Sequence, residues 1–263
     1  MTTSGFEALR YEVADAVATI TLDRPGSRNA LDGTLKRELL AALRSAGRDA
    51  SVRAVLLTGA GPAFCSGQDL REASAADAPP LSAIVRDTYN PLIIAMRRLE
   101  KPIVGAVNGV AAGAGASIAF ACDLRVASES ASFVLAFGRV GLVPDSGATW
   151  ILPRLVGPAR AAELALLGEP IPAREALAWG LVNRVVASED LLGEAGALAA
   201  RLATAAPRAL ALTKRALNRA LESTLEEALD YEASLQGIAG RTADHREGLA
   251  AFLEKRAPRF TGE

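Results

Sequence analysis

A stretch near the middle of the chain has residue types that could stabilise negative charge. Residues 108–115 read NGVAAGAG, with glycines at positions 109, 113 and 115 and only small neighbours. They follow an apolar run typical of a strand, 103–107, and precede a run with helical spacing, 117–121. A helix that starts after such a turn leaves its first N–H groups unpartnered, and small residues let another molecule approach them. This arrangement suits a phosphate, a carboxylate or a developing oxyanion, although close packing of a strand on a helix needs the same glycines.

The known phosphate motifs do not fit this stretch. The sequence has no GxxxxGK[ST] pattern, and the glycines do not form GxGxxG because position 118 is Ile. No acidic residue stands at the offset where a ribose would be bound. An oxyanion site therefore remains as the chemical interpretation.

The composition excludes several classes of protein. The 263 residues carry 29 Lys and Arg against 30 Asp and Glu, a net charge of −1, which gives no electrostatic basis for binding nucleic acid or an anionic membrane. Cys65 and Cys122 are too few for a disulfide framework and lack the spacing of a metal site. The sequence shows no N-terminal signal and no apolar run of membrane-spanning length. We therefore expect a cytoplasmic globular protein without a metal.

Short strands alternate with helices along the first two thirds of the chain, which predicts an α/β fold with parallel strand pairs. Strands are predicted over 11–23 with a hairpin turn near Ala14–Asp15, and over 53–58, 103–107, 124–127, 132–134 and 180–186. Helices are predicted from the N-cap Asp32 to Arg48, over 84–99, and from 145–147 through 155; 59–67 is predicted as a loop and 73–81 as a mobile loop. From about Leu191 to Glu254 the pattern is helical, with breaks at Pro207 and near 237–240.

Two stretches together carry a resemblance to a known family. Residues 63–70, AFCSGQDL, and 108–123, NGVAAGAGASIAFACD, resemble the two signatures of the crotonase superfamily, also called the enoyl-CoA hydratase/isomerase family. The segments LDRPGSRNALD at 22–32 and EKRAPRF at 254–260 also match its pattern. The resemblance therefore covers nearly the whole chain in the expected order.

The resemblance implies a fold, a ligand class and an assembly. The fold would be the crotonase (ClpP-like) spiral of ββα units over residues 1–195, followed by a helical region over 196–263 that builds a homotrimer or homohexamer. The ligand would be an acyl-CoA thioester, with no cofactor beyond the coenzyme A that the substrate carries. Two backbone N–H groups, those of Gln68 and Ala114, would bind the thioester oxygen. One such donor is worth about 3–4 kcal/mol to a transition state.

Two departures from the family pattern narrow the predicted reaction. Hydratases of this family use two glutamates to position and activate water, and the matching positions here are Ser117 and Phe137. Neither side chain can act as the base for adding water, so simple hydration is disfavoured. The segments GLVPDSGATW at 141–150 and LPRLVG at 152–157 resemble the ring-1,2-epoxyphenylacetyl-CoA isomerases of the superfamily. That resemblance puts their catalytic carboxylate at Asp145.

The chemistry of an isomerase agrees with this assignment. Moving a double bond beside a thioester needs one base to carry a proton and one stabiliser for the enolate. We therefore predict an acyl-CoA isomerase that converts a ring-1,2-epoxyphenylacetyl-CoA to oxepin-CoA, as in phenylacetate degradation, or shifts 3-enoyl-CoA to 2-enoyl-CoA. A helix N-cap after Pro144 is the structural alternative for Asp145. The alternative functions are an enoyl-CoA hydratase, an acyl-CoA hydrolase or a catalytically inactive CoA-binding homologue.

The other candidates would contact coenzyme A or the acyl group. The CoA contacts implied by the resemblance are Arg24, Ala63, Phe64, Ser66, Asp69 and Leu70, with Lys255 and Phe260 reaching the CoA of a neighbouring subunit. The predicted substrate pocket contains Asn108, Val110, Gly113, Ser117, Phe137 and Val143. Phe137, Val143 and Trp150 would make the surroundings of Asp145 apolar and so raise its pKa. The single histidine, His245, lies in a charged helical segment, which weakens any Ser–His–Asp interpretation.

Overall fold

The structure is a computed structural model that describes residues 5–75 and 79–263. Its strands form a six-stranded sheet in the order β1-β2-β3-β5-β7-β10 and a four-stranded sheet in the order β4-β6-β8-β9. The strands are β1 Leu9–Ala14, β2 Val17–Leu22, β3 Ala54–Gly59, β4 Ala63–Cys65, β5 Ile103–Val107, β6 Val110–Ala112, β7 Leu124–Ser128, β8 Ser132–Val134, β9 Ile171–Pro172 and β10 Arg184–Val186.

Helices connect successive pairs of strands and form the C-terminal region. They are α1 Gly33–Arg48, α2 Leu70–Ala73, α3 Leu81–Ile84, α4 Asn90–Arg98, α5 Ala114–Ala121, α6 Ala148–Leu167, α7 Ala173–Ala178, α8 Leu191–Ala203, α9 Pro207–Ala220, α10 Leu225–Ala239 and α11 Ala243–Leu253. No helix within the described ranges has the length and apolarity needed to cross a bilayer.

The chain passes repeatedly from the large sheet to the small one and back through a helix. β3, β5 and β7 lie side by side and parallel in the large sheet, and each is followed within a few residues by β4, β6 or β8 of the small sheet. Helices α2–α4, α5 and α6 follow the three pairs in turn. This repeat is the spiral of ββα units that the resemblance implies.

Local signals placed several elements correctly. The Asp32 side chain caps α1 by accepting the Leu35 N–H at 2.8 Å, and the leucines at 35, 39 and 43 are buried as their spacing predicts. The hairpin turn between β1 and β2 consists of Asp15 and Ala16, both with positive φ. The predicted strand over 103–107 is β5.

Other predictions need correction because short strands depend on distant partners. The predicted loop over 59–67 contains β4, and the predicted turn over 108–115 contains β6; the two strands pair with each other in parallel. The helix predicted over 84–99 is confirmed as α4 for most of its length, but its first part is a π-helical turn, Val85–Tyr89, that follows α3. The loop predicted as mobile over 73–81 includes residues 76–78, which lie outside the described residues.

The C-terminal third consists of helices, as predicted, but two predicted positions differ from the structure: the start of α6 and the boundary between the two regions. Helix α6 begins at Ala148 rather than at 145, and it continues beyond a break at Gly157. Helix α8 packs on β3, β5 and β7 of the large sheet. The predicted boundary between 195 and 196 therefore falls inside α8, which covers the core with its buried alanines and Leu191.

Candidate active site

A cavity of about 170 Å³ opens at the N-terminal end of α5. Its wall is mostly apolar and combines the end of β4, the helical stretch 81–89, the start of α5 and the segment 136–145. The lining residues are Ser66, Gly67, Gln68, Leu70, Leu81, Ile84, Val85, Tyr89, Ala112, Gly113, Ala114, Ala136, Phe137, Val140, Leu142 and Asp145. Three predicted catalytic residues, Gln68, Ala114 and Asp145, thus share one cavity.

The two predicted backbone donors have no hydrogen-bond acceptor among the described residues. Ala114 is the first residue of α5, so its N–H has no acceptor within the helix. Neither this N–H nor that of Gln68 donates a hydrogen bond to any atom of the described residues. The two segments also lie side by side, because a Cβ on Gly67 would be 3.4 Å from the Ala114 nitrogen. Two free N–H groups in one apolar cavity match the requirement of an oxyanion hole.

The glycines of this stretch serve two different purposes. A Cβ on Gly109 would lie 2.1 Å from the Pro62 carbonyl oxygen, and one on Gly115 would lie 2.2 Å from the Cys65 carbonyl oxygen. A Cβ on Gly113 would instead make only an ordinary contact with the Phe137 ring at 3.9 Å, but its φ of 51° and ψ of −124° are a backbone conformation that favours glycine. Close packing therefore explains two glycines, whereas the turn that presents the Ala114 N–H explains the third.

Asp145 is the only carboxyl group among the described residues that line the cavity. Its side chain is half-buried, and burial raises the pKa of this carboxyl, while a hydrogen bond from the Ser146 hydroxyl at 2.8 Å lowers it. No Lys or Arg of the described ranges forms an ion pair with it. A carboxylate held without a cation in an apolar wall is a stronger base than one in water.

The Asp145 side chain caps no helix. The N-cap of α6 is Gly147, and no side chain accepts a hydrogen bond there. The Asp145 carbonyl, in contrast, is fixed by the Ala148 N–H at 3.0 Å and the Ser117 hydroxyl at 3.1 Å. Ser146 follows with a φ of 52°, which is uncommon for a residue with a side chain. Two hydrogen bonds thus fix the Asp145 backbone through its carbonyl oxygen, while the carboxyl group remains available to the cavity.

The positions that carry glutamates in family hydratases contribute no carboxyl group. Phe137 lines the cavity as an apolar wall and is 9% exposed. Ser117 is completely buried, does not line the cavity, and acts on the Asp145 backbone instead. The predicted pocket residue Ser117 is therefore a structural support of the site rather than a part of its surface.

The predicted CoA and pocket residues are distributed unevenly. Ser66, Leu70 and Gly113 line the cavity. Val143 is 78% exposed and lines an adjoining cavity of about 350 Å³ that Asp145 also borders. The other predicted contacts lie outside the lining of both cavities: Arg24, Ala63, Phe64, Asp69, Asn108, Val110, Lys255 and Phe260.

Several of these outlying residues have clear structural roles. Arg24 forms ion pairs with Asp32 at 3.0 Å and Asp69 at 3.2 Å, so its charge is engaged within the chain. Asn108 donates to the carbonyl oxygens of residues 61 and 63 and accepts from the N–H of residue 59, which ties β5 to β4. Ala63 and Phe64 are buried in β4, while Val110 is the first residue of β6. His245 is exposed, and its N–H is capped by Thr242.

Tyr89 was missed by the sequence analysis although it lines the cavity. It is 2% exposed, and burial, together with negative groups that include Asp145, raises the pKa of its phenol well above the ordinary value. Its hydroxyl donates to the Gln68 side-chain carbonyl. Tyr89 precedes the buried Leu92 by three positions and Met96 by seven, so helical periodicity marks it as inward-facing.

Comparisons with known proteins agree with the geometry. The family model described as enoyl-CoA hydratase/isomerase matches residues 12–263. The chain is 46% identical over 260 residues to the 1,2-epoxyphenylacetyl-CoA isomerase of Escherichia coli K12, covering 98% of this chain and 99% of that one. It is 48% identical over 257 residues to a protein of Rhodobacter capsulatus named probable enoyl-CoA hydratase, with coverage of 98% and 99%. The solved structure of an enoyl-CoA hydratase from Bacillus anthracis has a TM-score of 0.91 at 35% identity, covering 98% and 100%.

Proposed function

The chain belongs to the enoyl-CoA hydratase/isomerase family, the crotonase superfamily, and we propose that within it this enzyme is an acyl-CoA isomerase. The observation that carries the proposal is the composition of one cavity. Two free backbone N–H groups and a single carboxyl group without a cation line it together. These are the groups that a proton shift through a thioester enolate requires.

The proposed mechanism uses Asp145 as the only proton carrier. For a 3-enoyl thioester, the Asp145 carboxylate takes a proton from C2, and the electron pair of that C–H bond moves into the thioester to form an enolate. The enolate oxygen accepts the Gln68 and Ala114 N–H groups. The protonated Asp145 then returns the proton at C4, which leaves the double bond between C2 and C3. The proton and electrons balance without a metal or redox cofactor, so the proposal includes no cofactor beyond the coenzyme A of the substrate.

The same enolate chemistry supports the more specific substrate. The chain is similar to an enzyme named 1,2-epoxyphenylacetyl-CoA isomerase over nearly the whole of both chains. The cavity wall has large apolar side chains that suit an unsaturated ring: Leu70, Leu81, Ile84, Val85, Phe137 and Leu142. We therefore propose the ring 1,2-epoxide of phenylacetyl-CoA as the preferred substrate, in phenylacetate degradation, with 3-enoyl-CoA as a second one.

Hydration is the second candidate because one of the most similar relatives is named as an enoyl-CoA hydratase. Ser117 is buried and Phe137 is apolar, so neither matching position can hold and activate water. A hydratase would therefore need Asp145 to act on water alone. We place this function, and an acyl-CoA hydrolase or an inactive CoA-binding homologue, behind the isomerase.

Deuterium exchange separates these candidates. We expect incubation with 3-enoyl-CoA in deuterated water to give 2-enoyl-CoA, with deuterium at C4 to the extent that the proton on Asp145 exchanges with solvent before it is returned. Formation of 3-hydroxyacyl-CoA from 2-enoyl-CoA would identify a hydratase, and free acid would identify a hydrolase. Tight binding without any product would identify the inactive homologue. Liquid chromatography with mass spectrometry identifies the shifted isomer, the hydroxyacyl-CoA and the free acid, and calorimetric titration measures binding without product.

We also propose that the enzyme acts in the cytoplasm as a homotrimer or homohexamer. The C-terminal helices expose large apolar side chains, including Leu217, Leu225 and Phe252, at 65%, 69% and 80%. Such side chains on neighbouring helices are typical of a surface that a second copy covers. Lys255 and Phe260 would then contact the CoA of a neighbouring subunit. Light scattering that gives a monomer at micromolar concentration would overturn this part of the proposal.

A further inference from the structure

The side chain of Gln68 is held by two buried residues from distant parts of the chain. Its carbonyl oxygen, Oε1, accepts a hydrogen bond from Lys36 Nζ at 3.3 Å and another from the Tyr89 hydroxyl. Lys36 belongs to α1, whereas Tyr89 ends the π-helical turn before α4. The Lys36 ammonium also lies 5.1 Å from the centre of the Tyr89 ring, within the range of a cation–π contact. The three residues therefore form one connected cluster, in which Gln68 and Tyr89 line the cavity and Lys36 lies outside its lining.

Lys36 is an unusual member of this cluster. It is 3% exposed, and among the described residues its ammonium has no carboxylate within ion-pair distance. Burial lowers its pKa, whereas the more distant carboxylates of Asp32, Asp69 and Glu72 raise it. Burying an unpaired cation costs free energy that a leucine at the same position would not cost. A buried lysine with this cost is expected to have a function, and the groups that it contacts indicate which one.

What Lys36 touches is the residue that carries an oxyanion donor. The Gln68 N–H follows Gly67, which has a φ of 90° and no side chain to restrict the backbone. The peptide unit between them is fixed on its carbonyl side by the Leu31 N–H, which donates to the Gly67 oxygen at 2.8 Å. The other donor, that of Ala114, is fixed by the helix that it begins. The peptide unit after Gln68 is fixed by the same residue, because the Asp69 N–H donates to the Leu31 oxygen at 3.1 Å. Gln68 lies outside any helix, and its side chain adds a further constraint on its position.

We propose that Lys36 and Tyr89 are positioning residues that hold Gln68, through its side-chain carbonyl, so that its N–H stays directed at the substrate oxygen. This inference rests on the proposed function, because it assigns a support to one of the two oxyanion donors. Neither residue is a proton carrier in it. Their effect on the reaction passes entirely through the Gln68 side chain.

A double-mutant cycle tests this route. Lys36→Met removes the ammonium but keeps the length and packing of the chain, and Gln68→Ala removes the acceptor but keeps the backbone N–H. Each change should lower kcat roughly tenfold, the effect of loosening one positioned group, with little change in KM. The double variant should be no slower than Gln68→Ala, because that change already removes the acceptor through which Lys36 acts. Additive losses would overturn the proposal, since Lys36 would then act on the reaction directly.

A spectroscopic readout separates positioning from a general structural role. A bound acyl-CoA with a ¹³C label at the thioester carbonyl reports its polarisation by the donors through the infrared stretching frequency. The wild-type protein should lower that frequency relative to free substrate, and Lys36→Met and Tyr89→Phe should both reduce the shift. Lys36→Arg, which keeps a cationic donor, should recover most of it. An unchanged frequency in Lys36→Met would overturn the proposal even if the variant were less stable.

Tyr11→Phe is the matched control. Tyr11 is 7% exposed and buried like Tyr89, but its hydroxyl has no partner among the described residues. Its removal should change neither kcat nor the carbonyl frequency. If wild-type protein bound acyl-CoA without any frequency shift, the oxyanion hole and the proposed function would fail together. A normal wild-type shift that none of the variants changes would refute only the role of Lys36 and Tyr89.

Discussion

The cavity is built from two regions that present chemistry in opposite ways. In the proposed mechanism, Gln68 and Ala114 contribute backbone N–H groups, so their side chains do not take part in the reaction itself. The same mechanism uses the side chain of Asp145, whose backbone serves only to hold it. The first region is packed so closely that a Cβ at Gly115 would collide with the Cys65 carbonyl oxygen. The second region is open, with exposed apolar neighbours such as Val143.

This difference determines how each region tolerates substitution. The donor region should accept changes of donor side chains that keep the backbone in place, and it should be sensitive at its glycines. The Asp145 region should tolerate changes in packing but lose the reaction when one functional group changes. A substitution at Asp145 therefore acts on chemistry, whereas one at Gly115 acts on the fold first. The predictions below separate these two kinds of sensitivity.

Asp145→Asn should give the largest loss of activity. The amide keeps the size of the side chain but cannot take a proton, so isomerisation should fall by roughly 10²–10⁴-fold, the usual contribution of a positioned base. Acyl-CoA affinity should be retained because the donors are unchanged. The measurement is single-turnover conversion of 3-enoyl-CoA together with calorimetric titration of the ligand. Asp87→Asn, an exposed change on the neighbouring helical turn, is the control and should keep full activity. Full turnover in Asp145→Asn would assign the base to another residue.

Gln68→Pro should give the next largest loss. Proline removes the N–H outright, and this N–H donates no hydrogen bond within the described structure. The hydrogen bonds of the Gln68 side chain to Lys36 and Tyr89 are lost as well, as they are in Gln68→Ala. One missing oxyanion donor should lower kcat by about 10²–10³-fold. Gln68→Ala keeps the N–H and should lose only the anchoring of that donor, so it must be faster than Gln68→Pro. Equal rates in the two variants, each shown to be folded by circular dichroism, would contradict the backbone assignment.

Gly115→Ala should reduce stability rather than chemistry alone. The added Cβ would meet backbone, which cannot move aside like a flexible side chain, so we expect a loss of about 3 kcal/mol in the free energy of unfolding. Gly193→Ala in α8 is the matched control, because nothing lies within 4 Å of its added Cβ. It should instead stabilise the protein by about 0.5–1 kcal/mol. Urea unfolding measures both changes in stability, and equal effects would show that a Cβ at Gly115 does not collide with the Cys65 backbone.

Features that depend on local spacing or on a motif could be predicted from the sequence, whereas features that depend on contacts between distant segments could not. The Asp32 cap and the buried leucines of α1 follow from local spacing, and the positions of Gln68, Ala114 and Asp145 follow from motif resemblance. The strands β4 and β6 were not predicted, because both lie in glycine-containing stretches with the composition of turns and form by pairing with short strands of the small sheet. The contact of Lys36 and Tyr89 with Gln68 joins three distant segments, and no local pattern reports it. The support of Asp145 by Ser117 was hidden for the same reason.

The pH dependence of activity should be the smallest of these effects, and the direction of the Asp145 pKa shift determines its sign. Burial raises the pKa of Asp145 above the ordinary value of an aspartate, so the base is lost as pH falls through that raised pKa. The acid limb of kcat/KM should therefore lie above pH 3.8, the ordinary value, and it should be absent from the residual activity of Asp145→Asn.

The same shift predicts a sign for stability. Because the folded protein binds the Asp145 proton more tightly than the unfolded chain does, the charged carboxylate costs stability, and this cost develops as pH rises through the raised pKa. Asp145→Asn should then be at least as stable as the wild type at pH about 7, and the difference should shrink towards pH about 3, below the ordinary aspartate pKa, where both states bind the proton. Urea unfolding at the two pH values measures it. A destabilised Asp145→Asn at neutral pH would show that the carboxylate stabilises the fold, as a helix cap would, and that the cavity does not raise its basicity.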